Sequence, residues 1–323
     1  MKQESSSLAL GAGPEFDRIR KIIEKLGSHG VGLGDDCGLI PTADGTLALS
    51  TDVSVEGVHF RLDWLGFADV GWRSTAAALS DLAAEGAEPL AVLCAVTLPE
   101  RATESQLTEV MSGAGAAAAS VGAAVIGGDL SIGPVWSVAA TVVGRAARPV
   151  TRAGAQPGDR LWVSGMLGGS RAALEAWRRG AQPEAGARQR FARPEPRIRP
   201  GQWLARNRAH ALIDLSDGLA GDAGHLAAAS GVALAINLAS LPVATEVKAE
   251  AARLKLSPEQ FAAEGGEDFE LLAALAPEFN AAASFQSECG ILLTEIGIVE
   301  QGSGARFLEN GRAVSLRGYS HFG

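Results

Sequence analysis

Short β-branched runs alternate with Ala-rich helical stretches twice along this chain, and a Pro/Gly-rich stretch at residues 148–159 parts the two sets. Alternation of this kind builds layered α/β domains. In the first set, Phe16, Ile19, Ile22, Ile23 and Leu26 recur at helical spacing up to Gly27. A strand is expected over 47–52, a helix over 68–85 ended by Gly86, and a strand over 90–98 stopped by Pro99. A helix over 104–121 follows, then a short strand at 123–126 that breaks at Gly127-Gly128-Asp129, and a strand at 135–143. In the second set, strands are expected at 160–164, 211–214, 232–237, 271–275, 291–298 and 313–316, with helices at 168–179 and 218–230. Residues 178–200, rich in Arg, Pro and Ala, read as a surface crossing. The 323 residues suit two domains, 15–149 and 150–323, behind a polar, Ser-rich flexible tail at 1–14.

Charge narrows the partners. The chain carries 28 Lys+Arg against 37 Asp+Glu, a net −9. That balance speaks against a nucleic-acid backbone as the main partner, because such binding rests on basic side chains neutralising phosphates. Lysines occur only at 2, 21, 25, 248 and 255, so any phosphate chemistry must use Arg, backbone N–H groups or metal ions. Cys37, Cys94 and Cys289 are scattered and read as small apolar residues of a reducing compartment. No apolar run reaches the roughly 20 residues a bilayer span needs, and a cytoplasmic protein is expected.

The aspartates stand in an informative pattern. Asp52, Asp129 and Asp214 each follow an expected strand, and Asp36, Asp81 and Asp217 lie at the edges of apolar runs or among small residues. Loops at strand ends line the ligand crevice of open α/β sheets. Carboxylates gathered there repel one another unless cations lie between them, and Mg²⁺ commonly bridges a few carboxylates to substrate phosphates. Ser50, Thr51 and Ser80 add hydroxyl oxygens. Each aspartate taken alone is equally well an N-cap or a turn residue; the set, without neighbouring lysines, is harder to explain that way. Gly127-Gly128 has the backbone access a nucleotide phosphate needs, with Asp129 beside it to hold a metal. His59 in a glycine-bearing loop can bond a phosphate or ring, or be an ordinary half-buried His. Arg152 can reach an anion between domains, or be a surface Arg. Glu267, in Gly265-Gly266-Glu267-Asp268, can accept from a substrate N–H, or cap a solvated turn. Tyr319, the only tyrosine, can stack on a flat ring, or pack the tail.

Together these segments resemble the thiamine-monophosphate kinases, members of the ATP-binding superfamily typified by aminoimidazole ribonucleotide synthetase. The segments are Gly34-Asp-Asp-Cys-Gly38, Ser50-Thr-Asp52 through Glu56-Gly-Val-His-Phe60, Ser80-Asp-Leu-Ala-Ala84 with Gly86-Ala87, and Gly127-Gly-Asp129. Thr151-Arg152, Arg193-Pro-Glu-Pro-Arg197, Asp214-Leu-Ser-Asp-Gly218, Gly265-Gly-Glu-Asp-Phe-Glu270 and Gly318-Tyr319 continue in the family's order, from about residue 15 to 322. The resemblance implies a two-domain α/β (α+β) aminoimidazole ribonucleotide synthetase-like fold, a homodimer whose N-terminal domains form an intersubunit β-barrel, and phosphorylation of thiamine phosphate by ATP. It also implies Mg²⁺ ligands at Asp36, Ser50, Thr51, Asp52, Asp81, Asp129, Asp214 and Asp217. ATP contacts would fall at Gly128, Asp129, Arg152 and Ser216, and thiamine phosphate contacts at His59, Glu267 and Tyr319. No side-chain nucleophile is implied. Glu85 stands where the pattern leads one to expect an apolar Met, Leu130 where Thr is common, and Ser54 where an apolar residue is usual.

On this reading the obstacle to reaction is repulsion between two polyanions, and positioning with charge neutralisation is the main catalytic resource. Loss of turnover is expected for Asp52→Ala and Asp129→Ala. Other enzymes of the same fold and a non-catalytic nucleotide sensor are the rivals. A selenophosphate synthetase would want a reactive Cys with a Lys beside it close to the N-terminus, and no such pair stands there.

Overall fold

The computed structural model describes residues 7–319. The first domain contains α1 (Pro14–Leu26), β1 (Gly38–Thr42), β2 (Gly45–Val55), α2 (Phe67–Ala84), β3 (Glu88–Leu98), α3 (Glu104–Ser120), β4 (Ala124–Ile132) and β5 (Ser137–Ala146). Its five strands order as β1-β2-β5-β3-β4. The second contains β6 (Arg160–Ser164), α4 (Gly169–Arg178), α5 (Ala185–Ala192), α6 (Ile198–Arg206), β7 (Ala211–Asp214), α7 (Leu219–Ser230), β8 (Ala233–Asn237), α8 (Val247–Leu254) and α9 (Pro258–Ala263). It closes with β9 (Leu271–Leu275), α10 (Ala282–Cys289), β10 (Leu293–Glu300), β11 (Gly304–Glu309) and β12 (Arg312–Val314), in a seven-stranded sheet ordered β12-β11-β8-β10-β6-β9-β7. No described helix is long and apolar enough to cross a membrane.

Helix α2 lies on one face of the first sheet and is the fold's pivot. Its Ala-rich surface lets neighbours approach closely: a Cβ on Gly71 would fall 1.8 Å from the Val110 carbonyl oxygen, and one on Gly113 of α3 would fall 1.9 Å from that of Ala68. The two helices touch backbone to backbone, so Gly113→Ala must force them apart. Overpacking of this kind is expected to destabilise by about 2 kcal/mol; denaturant unfolding with an unchanged midpoint would contradict the contact. The other side of α2 packs on the second domain. Leu79, Leu82 and Ala83 share a core with Trp203, Leu204, Leu212 and Leu271, so one apolar cluster spans both domains.

Several sequence expectations change. Strand β4 does not break at Gly127-Gly128-Asp129 but continues to Ile132 in parallel with β3. Gly128 permits this: a Cβ there would lie 1.8 Å from the Cys94 carbonyl oxygen. Residues 178–200 are no mere surface crossing, for α5 lies within them and α6 begins there, with Phe191, Ala192 and Ile198 buried. The polar Arg and Pro content masked a few apolar anchors. Helices α8 to α10 and strands β1 and β11 were not anticipated; most are short, with weak periodicity. Of the expected tail, residues 1–6 lie outside the described residues. From residue 7 onward it rests partly on the body, with the Leu8 N–H donating to the Leu33 carbonyl at 2.8 Å and Gly11 buried against His225.

Candidate active site

Strand alternation sets the site. Ser50 and Asp52 of β2 project from the face that carries buried Ala48 and Ser54, while Thr51 and Val53 project from the other. On the inner face the Ser50 hydroxyl donates to the Asp81 carboxylate of α2. The preceding residue, Ser80, donates to Asp214 at the end of β7, at 2.7 Å. Asp36, from the loop before β1, completes the group. Asp36, Asp81 and Asp214 each offer an oxygen within 4.8 Å of the others, and Asp52 adjoins them closely enough to raise the pKa of Asp81.

Repulsion governs this cluster. Burial first, then neighbouring carboxylates, hold Asp81 and Asp214 well above the usual carboxylate range. Asp52 is raised by burial and by Asp36. Asp35 is pushed up to about 6 by burial and by Asp36, although the Arg152 backbone N–H donates to it at 3.1 Å. One cation answers them. Arg152 grips Asp36 through Nε at 3.0 Å and Nη2 at 2.5 Å; burial opposes its charge, but Asp36 keeps it protonated. Every donor in the group is an oxygen, which suits a hard divalent cation.

The titration has a consequence. Raised carboxylates lend the metal-free protein stability that is complete below their usual range, near pH ~4, and lost as pH climbs through about 6 for Asp35, with Asp81 and Asp214 acting in the same direction. Melting of the metal-free chain should therefore fall from roughly pH 5 to 8, and the rise produced by added Mg²⁺ should grow over the same span, since ligands bind ionised. A pH-independent Mg²⁺ effect in calorimetry would count against the cluster as an ion site.

Beside the cluster opens a cleft of about 1120 Å³. Asp52 belongs to both, and His59, Ser216, Asp217, Glu267 and Tyr319 line it. Three loops are clamped together there. The Glu267 N–H donates to the Ser216 carbonyl at 2.7 Å, and a Cβ on Gly266 would strike that same oxygen. The Tyr319 N–H donates to the Asp217 carbonyl at 2.9 Å, drawing the C-terminal segment over the cleft. Glu267 holds φ +64° and Phe269 φ +50°, both in the left-handed region that costs an ordinary residue energy and recurs at binding sites. Neighbouring anchors secure the loop: Asp268 accepts from the Gly168 N–H at 2.6 Å at the start of α4, and Glu270 receives Arg197 in a two-pronged pair at 2.8 and 2.7 Å. His59 accepts from the Val55 N–H through Nδ1 at 3.0 Å, which leaves Nε2 as its protonated nitrogen.

Three expected metal ligands, Thr51, Asp129 and Asp217, are not in the group. Thr51 lies on the opposite face of the sheet, its hydroxyl 2.8 Å from that of Thr141. Asp129 pairs in register with Ala95, beside Ala139 and Val53, so it too faces away from Asp52. Gly128 does lie on Asp52's row, but β3 fills the space its missing side chain leaves. Asp217 groups instead with Asp222 and His225, each offering a ligand atom within 4.8 Å of the others. Sequence reasoning missed Arg73. Almost fully buried, it forms an ion pair with Glu267, donates to the Phe191 carbonyl and lies 3.9 Å over the Phe191 ring. The signal was the one basic residue of Ala-rich α2, two turns before Ser80 and Asp81.

The chain is similar to known proteins over most of its length. Residues 34–146 match the family described as AIR synthase related protein, N-terminal domain, and residues 156–308 match its C-terminal domain. The thiamine-monophosphate kinase of Aquifex aeolicus is 34% identical over 317 residues, 97% of this chain and 98% of its own. That of Escherichia coli strain K12 is 37% identical over 95% of each chain. A solved structure of AaThiL complexed with AMPPCP and TMP aligns with a TM-score of 0.86 and 34% identity, over 95% of this chain and 97% of that one. On these likenesses the chain belongs to the thiamine-monophosphate kinase family, with the two-domain AIR synthase related architecture.

Proposed function

We propose that this chain transfers the γ-phosphoryl group of ATP to thiamine phosphate, forming thiamine diphosphate, the last step of its synthesis. The observation that carries the reading is the meeting of the Asp36–Asp52–Asp81–Asp214 group with a cleft lined by His59, Glu267 and Tyr319. The AaThiL structure with an ATP analogue and TMP supports it.

An oxygen of the acceptor phosphate attacks the γ-phosphorus, and the bond to the β-phosphate oxygen breaks, with ADP leaving on that electron pair. The acceptor is already anionic, so no general base is needed, and none of the side chains acts as nucleophile. Asp36, Ser50, Asp52, Asp81 and Asp214 would hold Mg²⁺, which when bound would neutralise the phosphate charges. Arg152 steadies Asp36 and offers its remaining N–H groups to the nucleotide, with Ser216 nearby. Nε2–H of His59 donates to the acceptor's phosphate, Glu267 accepts from its amino group, and Tyr319 covers its rings. Asp217 completes the polar wall.

We further propose a homodimer. Ile126, Leu130 and Ile132 of the edge strand β4 are 67%, 59% and 76% exposed, an apolar edge that a second copy would cover in the implied intersubunit barrel. The roles of Asp129, Gly128 and Thr51 at ATP or metal then depend on that second subunit, because Asp129 and Thr51 lie on the face of the sheet opposite Asp52. A monomer in sedimentation at micromolar concentration would remove this part.

The activity is tested by ADP release with thiamine phosphate, free thiamine and other phosphorylated acceptors. Release that depends on thiamine phosphate and Mg²⁺ supports the reading. ATP binding without acceptor-dependent turnover would make the chain a nucleotide sensor instead.

A further inference from the structure

Behind the catalytic group lies a second acidic cluster for which the kinase chemistry has no use. Asp35, Asp36 and Glu85 each present an oxygen, all within 4.8 Å of one another. Glu85 is the residue that caps α2, and its side chain turns inward. It is fully buried, and neither carboxylate oxygen has a hydrogen-bond partner. The Cys37 N–H lies near enough to favour the charged form but makes no hydrogen bond to it. Burial, then Asp35 and Asp36, hold Glu85 well above the usual carboxylate range.

Ordinary structural roles do not account for this side chain. An ionised carboxylate without a partner is among the costliest groups to bury, and a neutral acid still leaves its O–H and C=O unmet. An apolar residue, as the family resemblance leads one to expect at this position, would avoid both penalties. The cation within reach is Arg152, which already spends Nε and Nη2 on Asp36. Three carboxylates against one guanidinium leave two negative charges over. One divalent ion cancels them, and an all-oxygen donor set selects a hard one. Asp36 retains lone pairs beyond those taken by Arg152, so it can face both clusters.

We propose that Asp35, Asp36 and Glu85 form a further divalent-cation site, of the Mg²⁺ and Mn²⁺ class, separate from the Asp81–Asp214 group and peculiar to chains with an acidic residue at position 85. It goes beyond the kinase reading and is tested without ATP or acceptor, so the two can fail independently.

Mn²⁺ is titrated into the nucleotide-free full chain at about pH 8, and free Mn²⁺ is read by electron paramagnetic resonance. Glu85→Gln, Glu85→Met and Asp214→Asn are compared with the wild type, with circular dichroism confirming that each variant folds. The expected result is that both Glu85 variants bind one Mn²⁺ fewer per chain than the wild type. Asp214→Asn should lose a different ion, and Asp214→Asn combined with Glu85→Met should lose both. Unchanged Mn²⁺ number and affinity in Glu85→Gln and Glu85→Met would overturn the proposal and leave Glu85 a buried neutral acid. So would a wild type whose Mn²⁺ binding is abolished by Asp214→Asn alone.

Discussion

Asp214→Asn is expected to lower Mg²⁺-dependent turnover by roughly 10²–10³-fold, the scale seen when one preorganised charge-stabilising group is removed, while raising the melting temperature of the metal-free protein. The two effects have one origin. Asp214 is buried, and its neighbours Asp36 and Asp52 raise its pKa further. Neutralising it relieves repulsion in the empty cluster, and the amide oxygen still accepts from Ser80. The same change removes an oxygen ligand that a loaded site requires. A variant that loses activity and stability together would show a folding role only. Normal turnover at saturating Mg²⁺ would remove Asp214 from the chemistry.

Arg73→Met should destabilise the fold by about 3 kcal/mol, the order expected when one partner of a buried pair is lost, and raise the KM for thiamine phosphate at least roughly tenfold. Arg73 both fixes Glu267 and fills the space over Phe191. Without it, Glu267 keeps a strained backbone but loses the charge that aims its carboxylate. The KM for ATP should change much less, since Arg73 lines the cleft away from Arg152. Arg73→Lys should recover charge but not the planar contact with the ring, and so restore only part of the affinity. Equal effects on both substrates would assign Arg73 a purely structural role.

Much of the site was legible because strand and helix ends announce themselves. Asp36, Asp52, Asp81 and Asp214 follow or flank apolar runs, and they do converge. His59, Glu267 and Tyr319 stand in glycine-bearing segments, and they do share one cleft. What misled was adjacency. Ser50, Thr51 and Asp52 read as one ligand triplet, yet a strand sends neighbours to opposite faces, and Thr51 went outward. Asp129 looked like a strand-end acid because two glycines precede it. Those glycines instead let β4 run on beside β3, which placed Asp129 within an exposed edge strand.

Alternating apolar runs, turn residues and caps are local signals, so the chain's own order of residues was enough to determine an α/β fold in two parts and the family whose motifs it carries. Distances between side chains remote in sequence are not local. The folded arrangement alone decided that Arg73 meets Glu267, that Glu85 points unpartnered at Asp35 and Asp36, and that one carboxylate of Ser50-Thr51-Asp52-Val53 enters the cluster while its neighbours turn away. The reason is that such contacts follow from strand register and from how closely Gly71, Gly113 and Gly128 let elements approach, and neither is set by any short stretch of chain.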